Sequence, residues 1–311
     1  MTSSLERKIV LVTRKTRLDD LIARHHTAAQ AKFYVEHLGA DFSDYEREHD
    51  SYTTARKIVL ATLAQHGRYQ AIDRSFLPNF LFGQSDLVIA LGQDGLVANT
   101  MKYLDGHPLA GVNPEPARYD GVLLPFQAHD MDALLPDLLE DRRPFKEVTM
   151  AVVTLSDKQT LYAVNDFFIG PKSHTSAHYE ITLGQRTEVQ SSSGIIVSTG
   201  LGSTAWMRSV ITGSSAIVNA CQSHKLDMEY HPLPWNTDRL QFAVREPFPS
   251  KTSQTSIAFG EIPRGQPLQL RSLMPENGTI FSDGIEADCL EFNAGTQARI
   301  AVSDKLGKLV F

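Results

Sequence analysis

Cysteine is nearly missing from this chain: its 311 residues include only Cys221 and Cys289, far apart and without paired spacing. A disulfide framework is excluded, and free thiols in a reducing compartment are expected. No apolar run approaches the roughly 20 residues that span a bilayer, so no membrane partner is expected. Positive charge is not in excess either. With a net charge of −6, there is no broad basic surface for nucleic acid. An anionic substrate must therefore meet a local cluster of positive groups, a helix terminus or a metal. The opening stretch MTSSLERKIVLVTRK has no secretory apolar core and no cleavage site, and a cytoplasmic location is expected. Internal repeats and low-complexity tails are absent as well. The remaining composition, 42% hydrophobic and 21% charged, suits a packed core, and the length suits two domains.

The first half alternates strand and helix. Lys8 to Thr13, Leu87 to Leu91 and Leu109 to Val112 read as strands. Leu18 to Leu38, Thr53 to Gln65, Leu96 to Leu104 and Met131 to Leu139 carry helical spacing. Such alternation predicts an α/β domain built on a parallel sheet, Rossmann-like, over residues 1–146. After Arg142-Arg143-Pro144 the character changes to short β-branched runs separated by Gly, Pro, Ser and Asp. Only Ser203 to Ala220 looks helical there. A β-rich domain over 147–311 is predicted, with strands at Val148 to Leu155, Leu161 to Ile169 and Ser256 to Phe259 among others.

Four segments carry chemistry. In DLVIALGQDGLVANT, Asp86 to Thr100, an apolar strand runs into Gly92-Gln93-Asp94-Gly95 and then into a helix. Glycines at a strand-to-helix turn let backbone approach a phosphate, and the helix start offers unpaired N–H groups and a positive dipole end. Asp94 stands where a base or a metal-linked carboxylate is useful, which points to phosphoryl transfer. Asn113 ends the next strand, on the edge where an open α/β sheet places its ligands. Asn165 and Asp166 interrupt an apolar strand and need partners, of which a ligand is one kind. Gly194 to Trp206 is a second turn of this kind, with Ser198-Thr199-Gly200-Leu201-Gly202-Ser203-Thr204 opening a helix. Each has a plain alternative: Gly-x-Asp-Gly also makes hairpins and helix starts, and Asn-Asp can cap an edge. The Gly200 turn also matches a dinucleotide fingerprint, but it lies in the β-rich half and lacks the acid about 20 residues on. His25 and His26, adjacent on a helix, face different ways and make poor co-ligands for a metal.

Taken in order, these segments, with Ser282-Asp283-Gly284, resemble the NAD kinase family within the diacylglycerol kinase and phosphofructokinase-like superfamily. That family carries a Gly-Gly-Asp-Gly turn, a Gly-Val-Asn loop, an Asn-Glu or Asn-Asp pair and a Thr-Gly-Ser-Thr-Ala-aromatic turn. The pattern, with Arg24-His25-His26 and Val244-Arg245-Glu246-Pro247, is similar to the mitochondrial-type branch. The resemblance implies ATP-dependent phosphorylation of NAD at the adenosine ribose 2′-hydroxyl, giving NADP, between an α/β domain and a β-rich domain. It implies Asp94 as base or partner of Mg²⁺, with Gly92, Gln93 and Gly95 at the donor phosphates. It also implies Asn113, Asn165, Asp166, Ser203, Thr204 and Ala205 at the nucleotides, and a homo-oligomer, dimer or tetramer. A nucleotide-binding regulatory protein with weakened catalysis, and a kinase for another sugar hydroxyl, are the alternatives. Gln93 replaces the motif's second glycine, Trp206 its tyrosine, and Pro114-Glu115-Pro116 a glycine-containing loop. Glu115 is expected to add negative charge near the substrate.

Overall fold

The structure, a computed structural model, describes residues 7–221 and 229–311. The chain divides into two compact units, Met1–Lys146 with Lys308–Phe311, and Glu147–Gly307. Residues 308–311, which local pattern assigns to the β-rich domain, cluster with the first unit.

In the first unit β1 (Ile9–Thr13), β2 (Tyr69–Asp73), β3 (Leu87–Leu91) and β4 (Pro108–Asn113) pair in parallel, in the order β2-β1-β3-β4. The short β5 (Phe126–Gln127) pairs with β4, as do Lys308 and Leu309 near the end of the chain. β1 and β3 are buried at every position. That is why their sequences, IVLVT and LVIAL, are unbroken apolar runs: a parallel sheet covered on both faces leaves no polar side. The helices α1 (Arg17–His25), α2 (Ala28–His37), α3 (Ser43–His66), α4 (Asp94–Met101) and α5 (Met131–Leu139) accompany these strands.

The single helix expected over Leu18–Leu38 is in fact two. His26 takes a left-handed φ of 68°, and the Thr27 side chain accepts from the Gln30 N–H to open α2. The apolar spacing runs across the break because Leu18, Ala31, Val35 and Phe42 all enter one small core cluster. α3 starts at Ser43, well before the expected Thr53, and turns Tyr52, Ala55, Val59 and Leu63 onto the sheet residues Ile9, Leu11, Leu87 and Ile89.

The second unit is antiparallel. β6 (Phe145–Leu155) pairs with β7 (Thr160–Ala163); then follow β8 (Asp166–Pro171), β9 (Ala177–Leu183), β10 (Arg186–Ser192) and β11 (Ile195–Ser198). After α6 (Trp206–Cys221) come β12 (Arg239–Val244), β13 (Phe259–Pro263), β14 (Leu268–Ser272), β15 (Gly278–Ser282), β16 (Ile285–Glu291) and β17 (Gln297–Val310). One sheet runs β13-β12-β11-β8-β15-β16, and β10-β9-β14-β17 lie in another. Phe167, Ile169, Val197 and Phe242 from the first share a core with Tyr179, Ile181, Leu270 and Ile300 from the second. That is sheet-on-sheet packing. The strand expected over Leu161–Ile169 is interrupted at Val164-Asn165, and the interruption is where the candidate site of this unit lies. Among the described residues, no helix is long and apolar enough to cross a membrane.

Candidate functional site

In the first unit the register of the parallel strands sets Val12 beside Ala90 and Leu91 beside Val112. The carboxyl ends of β1, β3 and β4 therefore lie along one edge, where Arg14 and Gly92 follow their strands and Asn113 closes β4. Gly92 is tightly enclosed. A Cβ there would lie 2.8 Å from Leu96 Cδ2 and 3.6 Å from Arg14 Cδ, whereas one at Gly95 would meet open space. α4 begins at Asp94, and the N–H groups of Gln93, Asp94 and Gly95 have no hydrogen-bond partner among the described residues. Unpaired donors at a helix start, beside a residue without a side chain, suit an anion.

Asp94 is half-buried, and its Oδ1 accepts from the Leu123 N–H at 2.7 Å. Its Oδ2 accepts no hydrogen bond among the described residues. Gln93 sits in an extended conformation, φ −106° and ψ 164°, which any residue adopts, so the turn does not require the glycine found in the family motif. Its Nε2 donates to Tyr119 Oη at 2.7 Å. Asn113 is buried and spent on its own loop: Nδ2 donates to Tyr119 O at 3.0 Å, and Oδ1 accepts from Glu115 N–H at 3.0 Å. The expected charge of Glu115 is offset by Arg118, 3.7 Å away.

Arg14 was not evident from sequence, and its only local signal is that it follows β1. Its N–H donates to Tyr52 Oη, which in turn donates to Leu91 O, so it ties the ends of β1 and β3 to α3. Its guanidinium lies over the Tyr52 ring and donates to Glu48 Oε1 at 2.9 Å. Glu48 is buried and also accepts from Arg17 at 2.6 Å. Burial pushes the Glu48 carboxyl up, but hydrogen bonds from Arg17 and Arg14 outweigh it and hold the group below its usual range. Arg17 and Arg118 both bond Asp44, whose carboxyl is lowered to about 2 by those hydrogen bonds.

In the second unit the sheet order explains why three distant segments converge. β8 lies between β11 and β15, with Ser198 paired to Asp166 and Ser282 to Phe167. The start of β8 and the ends of β11 and β15 thus share one edge. Asp283, at a left-handed φ of 55°, accepts from Asn165 N–H at 2.7 Å, from Val164 N–H at 3.1 Å and from Asp166 N–H at 3.3 Å. On the other side Thr199 N–H donates to Asn165 O at 2.9 Å, and Thr199 Oγ1 donates to Val164 O at 2.5 Å. The backbone of Asn165-Asp166 is fixed from both flanks. Their side chains, by contrast, make no hydrogen bond among the described residues.

Asp166 is only 6% exposed. Burial, and then the neighbouring charge of Asp283, push its carboxyl up to about 7. A buried carboxyl held without a side-chain partner costs stability, and such groups concentrate where a ligand completes the bonding. Gly202 presses on the same point, since a Cβ there would fall 2.0 Å from Asn165 O. Gly202→Ala is therefore expected to lower unfolding stability by about 3 kcal/mol, read as a shift in urea midpoint; an unchanged midpoint would mean that the contact relaxes freely.

The remaining predicted residues divide. Ser203 is fully buried, donating to Gly200 O at 2.6 Å and accepting from Leu233 N–H at 3.0 Å. Its hydroxyl thereby ties the turn to the segment around Leu233. Thr204 and Ala205 are exposed ahead of α6, with Thr204 Oγ1 donating to Leu201 O at 3.1 Å. Trp206 stacks on Phe168, centroids 5.9 Å apart at 6°, beneath the Arg245 guanidinium. Asp283, present in the motif without an assigned role, turns out to organise the pair.

No group of three His, Cys, Asp or Glu among the described residues is arranged to hold a metal ion by itself. Mg²⁺ bound with phosphates needs only one or two carboxylates, the phosphates and waters supplying the rest. Asp94, with Oδ2 available beside unpaired N–H groups, fits that donor set.

Comparison with solved structures finds the same fold in the crystal structure of yeast NADH kinase complexed with NADH. The TM-score is 0.58 over 98% of this chain and 83% of that one, with 13% sequence identity. No family model matches the chain, and no curated protein matches it by sequence.

Proposed function

We propose that this chain is an NAD kinase, transferring the γ-phosphoryl group of ATP to the 2′-hydroxyl of the adenosine ribose of NAD to give NADP. The observation that carries the proposal is the pinned Asn165-Asp166 pair. Asp283 and the Thr199–Gly202 turn hold its backbone, while both side chains are left for a ligand rich in hydroxyl and amino groups. A ribose and an adenine have those groups. The unpaired N–H groups at Gln93, Asp94 and Gly95 supply the complementary need, donors for polyphosphate oxygens. The fold shared with a kinase of NADH supports the same reading.

Asp94 Oδ2 takes the proton from the attacking 2′-hydroxyl as its oxygen bonds to phosphorus and the bond to ADP breaks. Were Asp94 instead to hold Mg²⁺, the ion would supply positive charge to the phosphates that an acidic protein otherwise lacks. Holding the reactants in line accounts for most of the remaining acceleration, since phosphoryl transfer asks for little covalent chemistry.

Incubation with ATP, Mg²⁺ and either NAD or NADH, followed by chromatography, is expected to yield NADP or NADPH only when both substrates are present. Tight nucleotide binding without product supports instead a regulatory protein that has lost catalysis. That alternative is prompted by Gln93, a side chain in place of a motif glycine; its backbone is extended and its Nε2 is engaged by Tyr119 Oη.

A further inference from the structure

Gln93 stands in the turn where a phosphate ligand is expected, yet its side chain is bonded to the loop that follows β4. That loop, residues 114–123, is closely folded. Tyr119 N–H and Arg118 N–H both donate to Glu115 O, and Tyr119 O accepts from Asn113 Nδ2. Gly121 lies against Asn113, where a Cβ would meet Nδ2 at 2.7 Å. Leu123 is pressed onto β4, its carbonyl oxygen 2.0 Å from where a Cβ of Gly111 would sit. Arg118 anchors the outer side of the loop to Asp44.

Among the described residues, two hydrogen bonds join this loop to the Gly92–Gly95 turn. One runs from Gln93 Nε2 to Tyr119 Oη at 2.7 Å, the other from Leu123 N–H to Asp94 Oδ1 at 2.7 Å. They use adjacent residues of the turn, so closing one brings the partners of the other into register. The Leu123 bond determines which carboxylate oxygen of Asp94 is occupied and which remains available.

We propose that Gln93 and Tyr119 form a latch that seats the 114–123 loop on the turn and thereby orients Asp94, which makes Gln93 a positioning residue and not a phosphate contact. Glycine at this position cannot make such a bond. The substitution that looks like a loss in the motif is then a different way of holding the same acid. The catalytic consequence rests on the kinase reading above; the latch itself does not.

The test uses the full chain with Gln93→Ala, Tyr119→Phe and the double variant. Tyr119→Phe removes one hydroxyl and keeps the ring, so folding is retained. In the unliganded protein, hydrogen exchange at the Leu123 amide is expected to quicken at least about fivefold in each single variant, and no further in the double variant. In steady-state assays kcat for NADP formation is expected to fall about tenfold in each, again without addition in the double, while the KM for ATP moves less than about twofold. Unchanged Leu123 exchange, additive losses, or a tenfold rise in ATP KM at constant kcat would each overturn the latch. If the wild-type chain makes no NADP, the kinase reading fails, and the exchange measurement alone still supports or rejects the latch.

Discussion

Asp94→Asn is expected to lower kcat for NADP formation about a thousandfold, some 4 kcal/mol of barrier, while the KM values for ATP and NAD change less than about threefold. Asparagine keeps the shape of the side chain. Its amide oxygen can still accept from the Leu123 N–H, so the loop stays seated and α4 still starts at the same residue. What disappears is the negative charge and the basic oxygen at Oδ2, the position without a protein partner. A loss confined to kcat is the pattern of an interaction made only in the transition state. Steady-state kinetics, together with a melting temperature within about 2 °C of wild type, separate this from unfolding. Unchanged turnover would remove Asp94 from the chemistry.

Asp166→Asn is expected to do two opposite things. Its carboxyl is raised from 3.8 to about 7 in the folded protein, so folding favours the protonated form. The sign follows: the folded state is at no disadvantage below the unfolded pKa, and stability is lost progressively as pH rises from about 4 to about 7. Above that the penalty is complete, on the order of 4 kcal/mol for a rise of this size. Asparagine carries no charge to bury. The variant is therefore expected to be more stable than wild type by up to about 4 kcal/mol at pH 8 and equal to it near pH 4, as read by urea unfolding at both values. At pH 8, where the wild-type carboxyl is ionised, it is also expected to raise the KM for NAD about tenfold, the scale of one lost hydrogen bond to a charged group. A stability gain paired with weaker substrate binding identifies a group kept for function at a structural cost. A variant less stable than wild type at both pH values would contradict the strained carboxyl.

The parts legible in the sequence are those where one local pattern decides the structure. β1 and β3 are unbroken apolar runs because both faces of their sheet are covered, and α5 matches its helical spacing from Met131 to Leu139. β10 is not legible in the sequence because its interior is polar. Its Gln190 and Glu188 are buried in a network with Tyr179 and the Ile257 N–H, so no apolar alternation marks it. The break between α1 and α2 was masked by apolar residues that serve a common cluster from both helices, although Thr27 is the kind of residue that caps a new helix. The return of residues 308–311 to β4 is a pairing over most of the chain length, which no local pattern carries.

The candidate site divides in the same way. Gly92, Asp94 and Gly95 stand out as a strand-to-helix turn, and Asn165-Asp166 as polarity in an apolar run. The functions of Tyr119, Arg14 and Asp283 depend on partners 26, 34 and 118 residues away, and such distances are set by topology. Ser203 is named by the motif, whereas the bond its buried hydroxyl accepts comes from Leu233, 30 residues away.

The most direct measurement is the fate of the γ-phosphoryl group. With γ-³²P-labelled ATP, Mg²⁺ and NAD, the wild-type chain is expected to place the label on the 2′-oxygen of the adenosine ribose, and Asp94→Asn to place almost none there. Label remaining in ATP, or released as inorganic phosphate at a rate independent of NAD, would contradict the account.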